Sequence, residues 1–385
     1  MKFLLIAGYD ASLTNFRLPL MRAVLAAGWE VVAAAPAETP RVPAQLAEAG
    51  IRFVPVHLAR TGLNPLADWR SYRNLRRLCA AEKPDIVLSY TIKPVIYGSL
   101  AARAAGVPSV HALITGLGTA FYTEGLKGRL LRGVAEALYR RSLRGCGRVF
   151  VQNGEIEALF LERRLASRRQ LVQVAGSGVD TEHFAPKPLP SGTRFLYLGR
   201  MLRDKGLVEL AEAAAELRRT HPEAGCRIVG AGDSNPTGIR ETDIDGWVSR
   251  GWLERFPLCE DVRGHLAECS VYVLPSYHEG MPRSVLEAMS VGRAIITTDT
   301  IGCRDTVVVP AGSKRDVHGI LQGENGLLVP TRSAHALSIA MQRLASDPEL
   351  VRRMAIRSRQ IAVERFDVRA VNQVLCVGMG IQVRA

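Results

Sequence analysis

Short runs of consecutive apolar residues alternate along the chain with segments in which apolar residues recur every three or four positions. The short runs predict strands that are buried on both faces, as in a parallel sheet. The spaced segments predict amphipathic helices between them. The predicted strands are residues 2–7, 30–35, 52–56, 85–89, 109–113, 149–152, 171–174, 193–198, 226–229, 271–274 and 294–298. This alternation predicts an α/β protein built from βαβ units with right-handed crossovers.

A stretch dense in glycine and proline, residues 176–190, divides the chain near its middle. Such stretches mark domain boundaries, and 385 residues are enough for two cores of ordinary size. We therefore predict two doubly wound domains, residues 1–184 and 185–385, that face each other across a cleft. Because ligand sites favour such interfaces, the cleft is the expected binding site.

The net charge of +13 is concentrated in the first domain, where residues 1–185 hold 24 Lys and Arg against 14 Asp and Glu. A basic surface of this kind indicates an anionic partner: nucleic acid, a phosphorylated substrate or an acidic membrane. Nucleic acid is the least favoured of the three, because the sequence has no recognisable reading helix, zinc finger or aromatic RNA platform.

Cysteine usage and hydropathy narrow the class of protein further. The seven cysteines include no Cys-x2-Cys pair, so neither a disulfide framework nor a zinc site is predicted, and a reducing cytoplasm is the expected compartment. No apolar run is long enough to span a bilayer, and the run that precedes Gly8 is too short for a signal peptide.

The most informative chemistry lies in residues 271–290. A short apolar strand leads into a loop with Glu279 and Gly280, and a helix begins near Pro282. A strand, a glycine turn and a helix N-terminus together present backbone N–H groups to an anion. Glu279 in the loop and Glu287 on the helix add acceptors for the hydroxyls of a sugar. The alternative is that both are solvated acids at a helix start, where acids are favoured.

The stretch of residues 279–287 resembles the Glu-x7-Glu signature of retaining glycosyltransferases of the GT-B fold, of the group called family 4. The resemblance implies that Glu287 binds the ribose of a nucleotide sugar and that Glu279 contacts the transferred sugar. The implied donor site also includes Gly280, Met281 and Pro282. The resemblance spans essentially the whole chain, and it implies that the last helix, residues 368–376, packs back on the first domain.

The same family carries a Gly-Arg…Lys-Gly motif, which this chain matches at Gly199–Arg200 and Lys205–Gly206. By resemblance, Gly199 lies in the donor site, and Arg200 and Lys205 neutralise the donor diphosphate. Fixed cations stabilise the charge that builds on a leaving diphosphate without a metal, so no metal or other cofactor is expected.

The resemblance extends to the residues that surround the nucleotide. It places Gly230 close to the nucleotide and Val262 close to the nucleobase, with Trp252 as a further candidate. Asp305 stands where many relatives have a glutamate. Residues 309–324 form an insertion that neither the pattern nor the resemblance assigns.

Six residues of the first half are candidates for an acceptor and sugar pocket: Gly8, Asn15, Lys93, His111, Gly116 and Gly118. Gly8 and Asn15 flank the loop after the first strand, which the resemblance directs towards the acceptor. Lys93 is either a contact to an acceptor phosphate or a surface lysine, and His111 is either a sugar contact or a buried core residue. Gly116 and Gly118 resemble the glycines of a Thr-Gly-Leu-Gly loop in bacterial surface-polysaccharide transferases of the same family.

Residues 125–148 predict a basic amphipathic helix. Leucine and valine recur at roughly helical spacing at Leu130, Leu131, Val134, Leu138 and Leu143, among Lys127, Arg129, Arg132, Arg140, Arg141 and Arg144. Such a helix can lie on an anionic leaflet, which would place the chain at the inner face of the bacterial membrane. The alternative is a helix that packs on the core and has a solvated basic face.

The sequence thus predicts a glycosyltransferase that moves a hexose or N-acetylhexosamine from a UDP-sugar to a polyprenyl-diphosphate-linked sugar, with retention, in capsule, O-antigen or exopolysaccharide assembly. Two alternatives remain open. A nucleotide-sugar epimerase has the same architecture and needs acid and base groups in its site. A noncatalytic UDP-binding membrane adaptor would bind the nucleotide without turnover.

Overall fold

The computed structural model describes residues 1–59, 64–116, 121, 125–233, 235 and 237–383, with the side chains of residues 126 and 127 left out. These residues form two compact units: Met1–Ser177 with Arg369–Ala385, and Gly178–Val368. The boundary at Ser177 lies a few residues before the predicted one at 184. Residues from Gly178 onward belong to the second unit because Val179 N–H donates to the carbonyl of Phe366 at 2.8 Å.

Unit 1 is a parallel sheet of the order β3-β2-β1-β4-β5-β6-β7. Its strands are β1 Lys2–Ile6, β2 Glu30–Ala35, β3 Arg52–Pro55, β4 Ile86–Tyr90, β5 Ser109–Ile114, β6 Val149–Val151 and β7 Leu171–Gln173. Its helices before the boundary are α1 Leu18–Ala26, α2 Val42–Glu48, α3 Pro65–Glu82, α4 Ser99–Ala104, α5 Gly125–Leu143 and α6 Gly154–Glu162. Short π-helical segments, Leu13–Arg17 and Pro94–Gly98, precede α1 and α4.

Unit 2 has a sheet of the order β10-β9-β8-β11-β12-β14-β13, parallel except at the β13 edge. Its strands are β8 Arg194–Leu198, β9 Gly225–Val229, β10 Glu254–Phe256, β11 Val271–Leu274, β12 Ala294–Thr298, β13 Leu321–Gln322 and β14 Gly326–Val329. Its helices are α7 Leu207–Thr220, α8 Glu241–Ser249, α9 Arg263–Ala267, α10 Arg283–Val291, α11 Ala334–Ser346 and α12 Pro348–Phe366. The final helix, α13 Val368–Met379, contributes Val371, Leu375 and Cys376 to the core beneath β1 and β2 of unit 1.

The strands predicted from apolar runs are all present, and β10, β13 and β14 were missed. Of these three strands, β10 and β13 are short and lie at the edges of the sheet, where few residues need to be apolar. The third, β14, begins at a glycine. Strand order reverses between β1 and β4 in unit 1 and between β8 and β11 in unit 2. Ligands of doubly wound sheets bind at the carboxyl ends of the strands beside such a reversal.

The unassigned insertion, residues 309–324, folds onto unit 2. The carboxylate of Asp316 accepts from the backbone N–H groups of His318 and Ile320, each at 2.9 Å, and pairs with Arg343. Arg315 pairs with Asp299 beyond the end of β12. The last part of the insertion contains β13, which pairs antiparallel with β14. It is therefore an ordered edge of the sheet.

Candidate active site

Three close backbone approaches shape the carboxyl edge of the unit 2 sheet. A Cβ on Gly230 would collide with the carbonyl oxygen of Gly199, so the ends of β8 and β9 come this close only because residue 230 is glycine. Gly206, at φ 71°, lies against the carbonyl of Pro275, and Gly302, at φ 77°, lies against that of Glu279. Such approaches need glycine. They draw the loops after β8, β9, β11 and β12 together.

The first ion pair of this edge joins the Gly-Arg…Lys-Gly motif to the Glu-x7-Glu signature. Lys205 Nζ lies 2.5 Å from Glu279 Oε1, and the two side chains are 21% and 16% exposed. The loops that carry them are bound together, since the carbonyl of Asp204 accepts from the N–H of Tyr277 at 2.9 Å. Two groups 74 residues apart in the sequence thus form one charged cluster beside the β8–β11 reversal.

The second ion pair was not foreseen from the sequence. Arg200 Nη1 lies 3.0 Å from Asp233 Oδ2, with the Arg200 side chain 60% exposed. Asp233 follows the glycine loop Gly230–Ala231–Gly232, and this position at the end of β9 was the signal that could have identified it. Both cations assigned to a diphosphate therefore have a carboxylate partner.

Glu287 lies on the second turn of α10, buried to 9% exposure. Arg283 Nε, one turn earlier on the same helix, lies 2.8 Å from Glu287 Oε1. Burial raises the pKa of the Glu287 carboxyl, and the guanidinium of Arg283 opposes that rise. A carboxylate held in this way at a helix start can accept hydrogen bonds from hydroxyls.

The turn that carries Gly280, Met281 and Pro282 is held from below by the loop after β12. Pro282 is the N-cap residue of α10, and Glu279 N–H donates to the carbonyl of Ile301 at 3.2 Å. The Asp305 carboxylate accepts from the backbone of Gly302, while burial raises the pKa of Asp305. Asp305 thus supports the turn of Gly302.

The two candidates for the nucleobase lie at opposite ends of β10. Val262 follows β10 and is half-buried at the N-cap of α9, on the carboxyl edge. Trp252 precedes β10, and the guanidinium of Arg250 lies over its ring at 5.0 Å. The Trp252 assignment is therefore wrong in placement, because a residue before a parallel strand lies at the amino edge, away from Gly199 and Gly230.

In unit 1 the loop after β1 is anchored by a residue that was not assigned a role. The buried carboxylate of Asp10 accepts from the backbone N–H groups of Glu38 and Thr39 at 2.8 Å and 2.6 Å. Gly8 lies where a Cβ would press on Thr91 Oγ1, beside the β1–β4 reversal. Asn15 is exposed in the π-helical turn before α1. Gly8 and Asn15 therefore occupy the edge at which a ligand of unit 1 is expected.

Lys93 does not extend as a free surface lysine. Its Nζ lies 2.7 Å from Asp68 Oδ1, and both side chains are nearly buried, at 12% and 10% exposure. The Asp68 carboxylate also accepts from the phenol of Tyr97. The contact to an acceptor phosphate would require breaking this pair, so the structure favours a bridging role between α3 and the loop after β4.

His111 is a core residue of β5, as the second interpretation had it. Its ring is 3% exposed, Nε2 lies 2.8 Å from Ser109 Oγ, and Nδ1 accepts from the N–H of Arg148 at 3.1 Å. Burial, with a smaller contribution from Arg148, lowers the pKa of His111 to about 4. Gly116 follows β5 with open space beside it, and Gly118 lies outside the described residues.

The apolar residues of α5 do not form one face, which corrects the sequence prediction. Leu143 is fully buried and Leu138 packs on the core, whereas Leu130 and Val134 are 70% and 42% exposed. A periodicity close to helical cannot decide which of two adjacent rows faces the sheet. The outer face therefore carries apolar residues in its first half and Arg140 and Arg141 in its second half, and Arg144 follows the helix directly.

No cluster of three or more His, Cys, Asp or Glu side chains in the described ranges has the arrangement of a metal site. No helix within those ranges is long and apolar enough to cross a membrane.

Comparison with known proteins identifies the class. Residues 15–176 match the family model "Glycosyl transferase 4-like domain", and residues 192–347 match "Glycosyl transferases group 1". Among solved structures, sucrose-phosphate synthase from Thermosynechococcus elongatus superposes with a TM-score of 0.78 at 20% identity, over 97% of each chain. The chain is therefore a glycosyltransferase of the GT-B fold and of the family 4 type.

Particular relatives extend the comparison. The chain is 27% identical to N,N'-diacetylbacillosaminyl-diphospho-undecaprenol alpha-1,3-N-acetylgalactosaminyltransferase of Campylobacter jejuni, over 92% of each chain. It is 29% identical to UDP-Gal:alpha-D-GlcNAc-diphosphoundecaprenol alpha-1,3-galactosyltransferase of Escherichia coli, over 65% of this chain and 66% of that one.

The buried histidine makes the stability of unit 1 sensitive to acid. Because the pKa of His111 is lowered from 6.5 to about 4, its contribution is complete above pH 6.5 and is lost as the pH falls towards 4. The loss should approach about 3 kcal/mol, at about 1.4 kcal/mol per pKa unit. We expect His111→Asn to show a smaller decrease in thermal unfolding temperature between pH 7.5 and pH 4.5 than the parent. The exposed His57→Asn is the control, and an equal decrease in both variants would contradict the assignment.

The loop beneath Glu279 should tolerate no side chain at Gly302. Gly302→Ala would drive a Cβ into two carbonyl groups at a positive φ, so we expect a loss of more than ~2 kcal/mol in urea unfolding. Gly312→Ala is the matched control, because Gly312 has a φ of 83° and no atom within 4 Å of an added Cβ. It should cost only about 1 kcal/mol, the price of the conformation itself. Similar losses for both would show that the two carbonyls do not confine Gly302.

Proposed function

We propose that the chain transfers a hexose or N-acetylhexosamine from a UDP-sugar to a sugar carried on a polyprenyl diphosphate, with retention of the anomeric configuration. The names of the two relatives specify diphosphoundecaprenol acceptors and α linkages, and one of them specifies a UDP-sugar donor. These names support the chemical classes of donor and acceptor. The transfer would be one step in the assembly of a surface polysaccharide.

The observation that carries the proposal is the charged cluster beside the β8–β11 reversal. Lys205 and Glu279 lie in direct contact there, and Arg200 comes from the same loop as Lys205. Diphosphates of doubly wound sheets bind at this position, where a helix N-terminus adds its partial positive charge. Two cations, an acid and a second acid on α10 are the groups that a nucleoside-diphosphate sugar requires.

In the proposed reaction the acceptor hydroxyl oxygen forms a bond to the anomeric carbon of the donor while the bond from that carbon to the diphosphate breaks. The bonding electron pair leaves with UDP, and the hydroxyl proton passes to the leaving phosphate oxygen on the same face. Arg200 and Lys205 would stabilise the charge that grows on the diphosphate. Glu279 would orient the transferred sugar, and Glu287 would accept from the ribose hydroxyls.

The proposed acceptor is a lipid, so the chain would act as a peripheral protein at the inner face of the membrane. Within residues 125–148, the outer face of α5 has the exposed Leu130 and Val134 beside Arg129. An exposed apolar pair next to a cation fits the interface of an anionic leaflet. This support concerns one face of α5, since the buried row around Leu143 is excluded from any contact.

Transfer of labelled sugar tests the proposed function. The protein is incubated with labelled UDP-sugars, with and without a polyprenyl-diphosphate sugar, and both the lipid and the nucleotide fractions are analysed. Label should enter the lipid fraction only when the acceptor is present. Conversion of the donor without acceptor would instead indicate an epimerase, and UDP binding with no conversion would indicate an adaptor.

Two variants test the assignment of the site. Lys205→Ala and Glu287→Ala should each lower transfer about 100-fold or more, because groups that stabilise a transition-state charge or orient the donor have effects of this size. Lys314→Ala and Glu349→Ala, both exposed and remote from β8 and β11 in sequence, are the matched controls. Wild-type activity in both test variants would remove the basis of the assignment.

Asp233 should compete with the donor for Arg200. A carboxylate 3.0 Å from that guanidinium has to yield to the diphosphate, or remain as a like charge beside it. We expect Asp233→Asn to bind UDP several-fold more tightly in titration calorimetry, in line with about 1 kcal/mol for such a charge at the surface. Asp245→Asn is the control, since its side chain is 72% exposed. Weaker binding by Asp233→Asn would mean that Asp233 holds Arg200 in the productive position.

A further inference from the structure

Two adjoining grooves on unit 1 form a trough that the proposed chemistry does not use. The first groove, of about 690 Å³, is lined by the aromatic side chains Trp69, Tyr72 and Tyr97 and ends at Arg103 and Arg141. The second, of about 1110 Å³, shares those two arginines. It is further lined by Arg140, Arg144 and Arg164. We call the two grooves together the arginine trough.

Among the described residues that line the arginine trough there is one carboxylate, that of Asp68 in the first groove, and it is paired with Lys93. Among the described residues that line the second groove there is no carboxylate. Arg140 pairs with Glu136 at 3.0 Å, and Arg103 donates to backbone carbonyls. The described part of the chain contains no ion pair of Arg141, Arg144 or Arg164. Like charges drawn together from three helices repel one another, and an anion bound between them would lower that repulsion.

The arginines converge from the ends of separate helices. Arg103 is in the last turn of α4, Arg140 and Arg141 are in the last turn of α5, and Arg164 follows α6. A cation at a helix C-terminus is favoured by the helix dipole, which accounts for one arginine per helix. That effect does not account for their common groove, nor for an aromatic wall along the same groove.

The aromatic wall distinguishes between possible anions. Trp69 is 54% exposed with the guanidinium of Arg73 at 4.6 Å over its ring, and Leu66 beside it is 70% exposed. Trp and Tyr are enriched where a protein meets the membrane–water interface. A nucleic acid could stack on the aromatic rings but would leave the exposed Leu66 uncovered. A free phosphate would need only one or two of the five arginines.

We propose that the arginine trough binds the phosphate headgroups of anionic phospholipids in a bilayer, with Trp69 and Leu66 at the interface. The proposal deepens the membrane contact in the proposed function, on which it rests for the presence of a bilayer. It extends that contact from one helix to four and adds a requirement for anionic lipid.

Vesicle sedimentation tests the proposal with the full chain. The parent protein should bind vesicles of phosphatidylcholine with phosphatidylglycerol and should bind phosphatidylcholine alone weakly. The variant Arg141→Gln/Arg144→Gln/Arg164→Gln should lose roughly 100-fold in binding to the anionic vesicles, since each basic residue near the surface contributes about fivefold. Arg219→Gln/Arg240→Gln/Arg352→Gln removes the same charge from exposed positions of unit 2 and should bind as the parent does.

Further measurements distinguish binding of a lipid surface from binding of free phosphate or of nucleic acid. Trp69→Ala should weaken vesicle binding, and inorganic phosphate at constant ionic strength should not displace the vesicles. Equal losses in the two triple variants would overturn the proposal, as would displacement by phosphate or a preference for single-stranded DNA over the vesicles. UDP affinity and transfer to a water-soluble acceptor analogue should be unchanged in the trough variant. Absence of transfer in the parent, with the vesicle results as expected, would refute the proposed function and leave the trough assignment in place.

Discussion

Parallel hydrogen bonding places the carboxyl ends of neighbouring strands along one edge of a sheet, and the chemistry of unit 2 depends on this constraint. Lys205 follows β8 and Glu279 follows β11, so pairing of these two strands brings both residues to the same edge. The strands alone do not bring the side chains into contact. Glycines at 206, 230 and 302 allow the loops to approach until backbone meets backbone, and the ion pair forms across that contact.

Much of this arrangement follows from the sequence for a physical reason. A strand buried on both faces must be an apolar run, and a glycine or a charged residue that follows such a run must lie near the carboxyl edge. Glu279 was placed in this way, whereas the placements of Lys205 and Gly230 came from the family resemblance. The same rule, applied strictly, excludes Trp252, because it precedes β10 rather than following it. Trp252 was assigned to the nucleobase site from its position along the family pattern, and the direction of β10 was not taken into account.

Side-chain pairing could not be derived from the pattern. The sequence left Lys93 open between a contact to an acceptor phosphate and a surface lysine. Its partner in the structure is Asp68, which is distant in sequence and comes from another helix. The partner of Arg200 is likewise a residue of the next loop. Apolar periodicity fixes which side of a helix is buried only when one row dominates, and α5 has two adjacent rows with Leu143 in one and Leu130 in the other. Packing against the sheet decides between them.

The state of the charges distinguishes the two basic regions of the chain. At the carboxyl edge of unit 2 four cations have carboxylate partners: Arg200 with Asp233, Lys205 with Glu279, Arg283 with Glu287 and Arg304 with Asp299. A paired cation stays oriented while the site is empty, and a ligand must exchange with its partner, which favours a ligand of matching shape. In the arginine trough three guanidinium groups have no such partner among the described residues. Unpaired charge attracts anions of any shape, as a surface made of many phosphates requires. The two regions therefore differ in selectivity by construction, one suited to a single small ligand and the other to an extended layer.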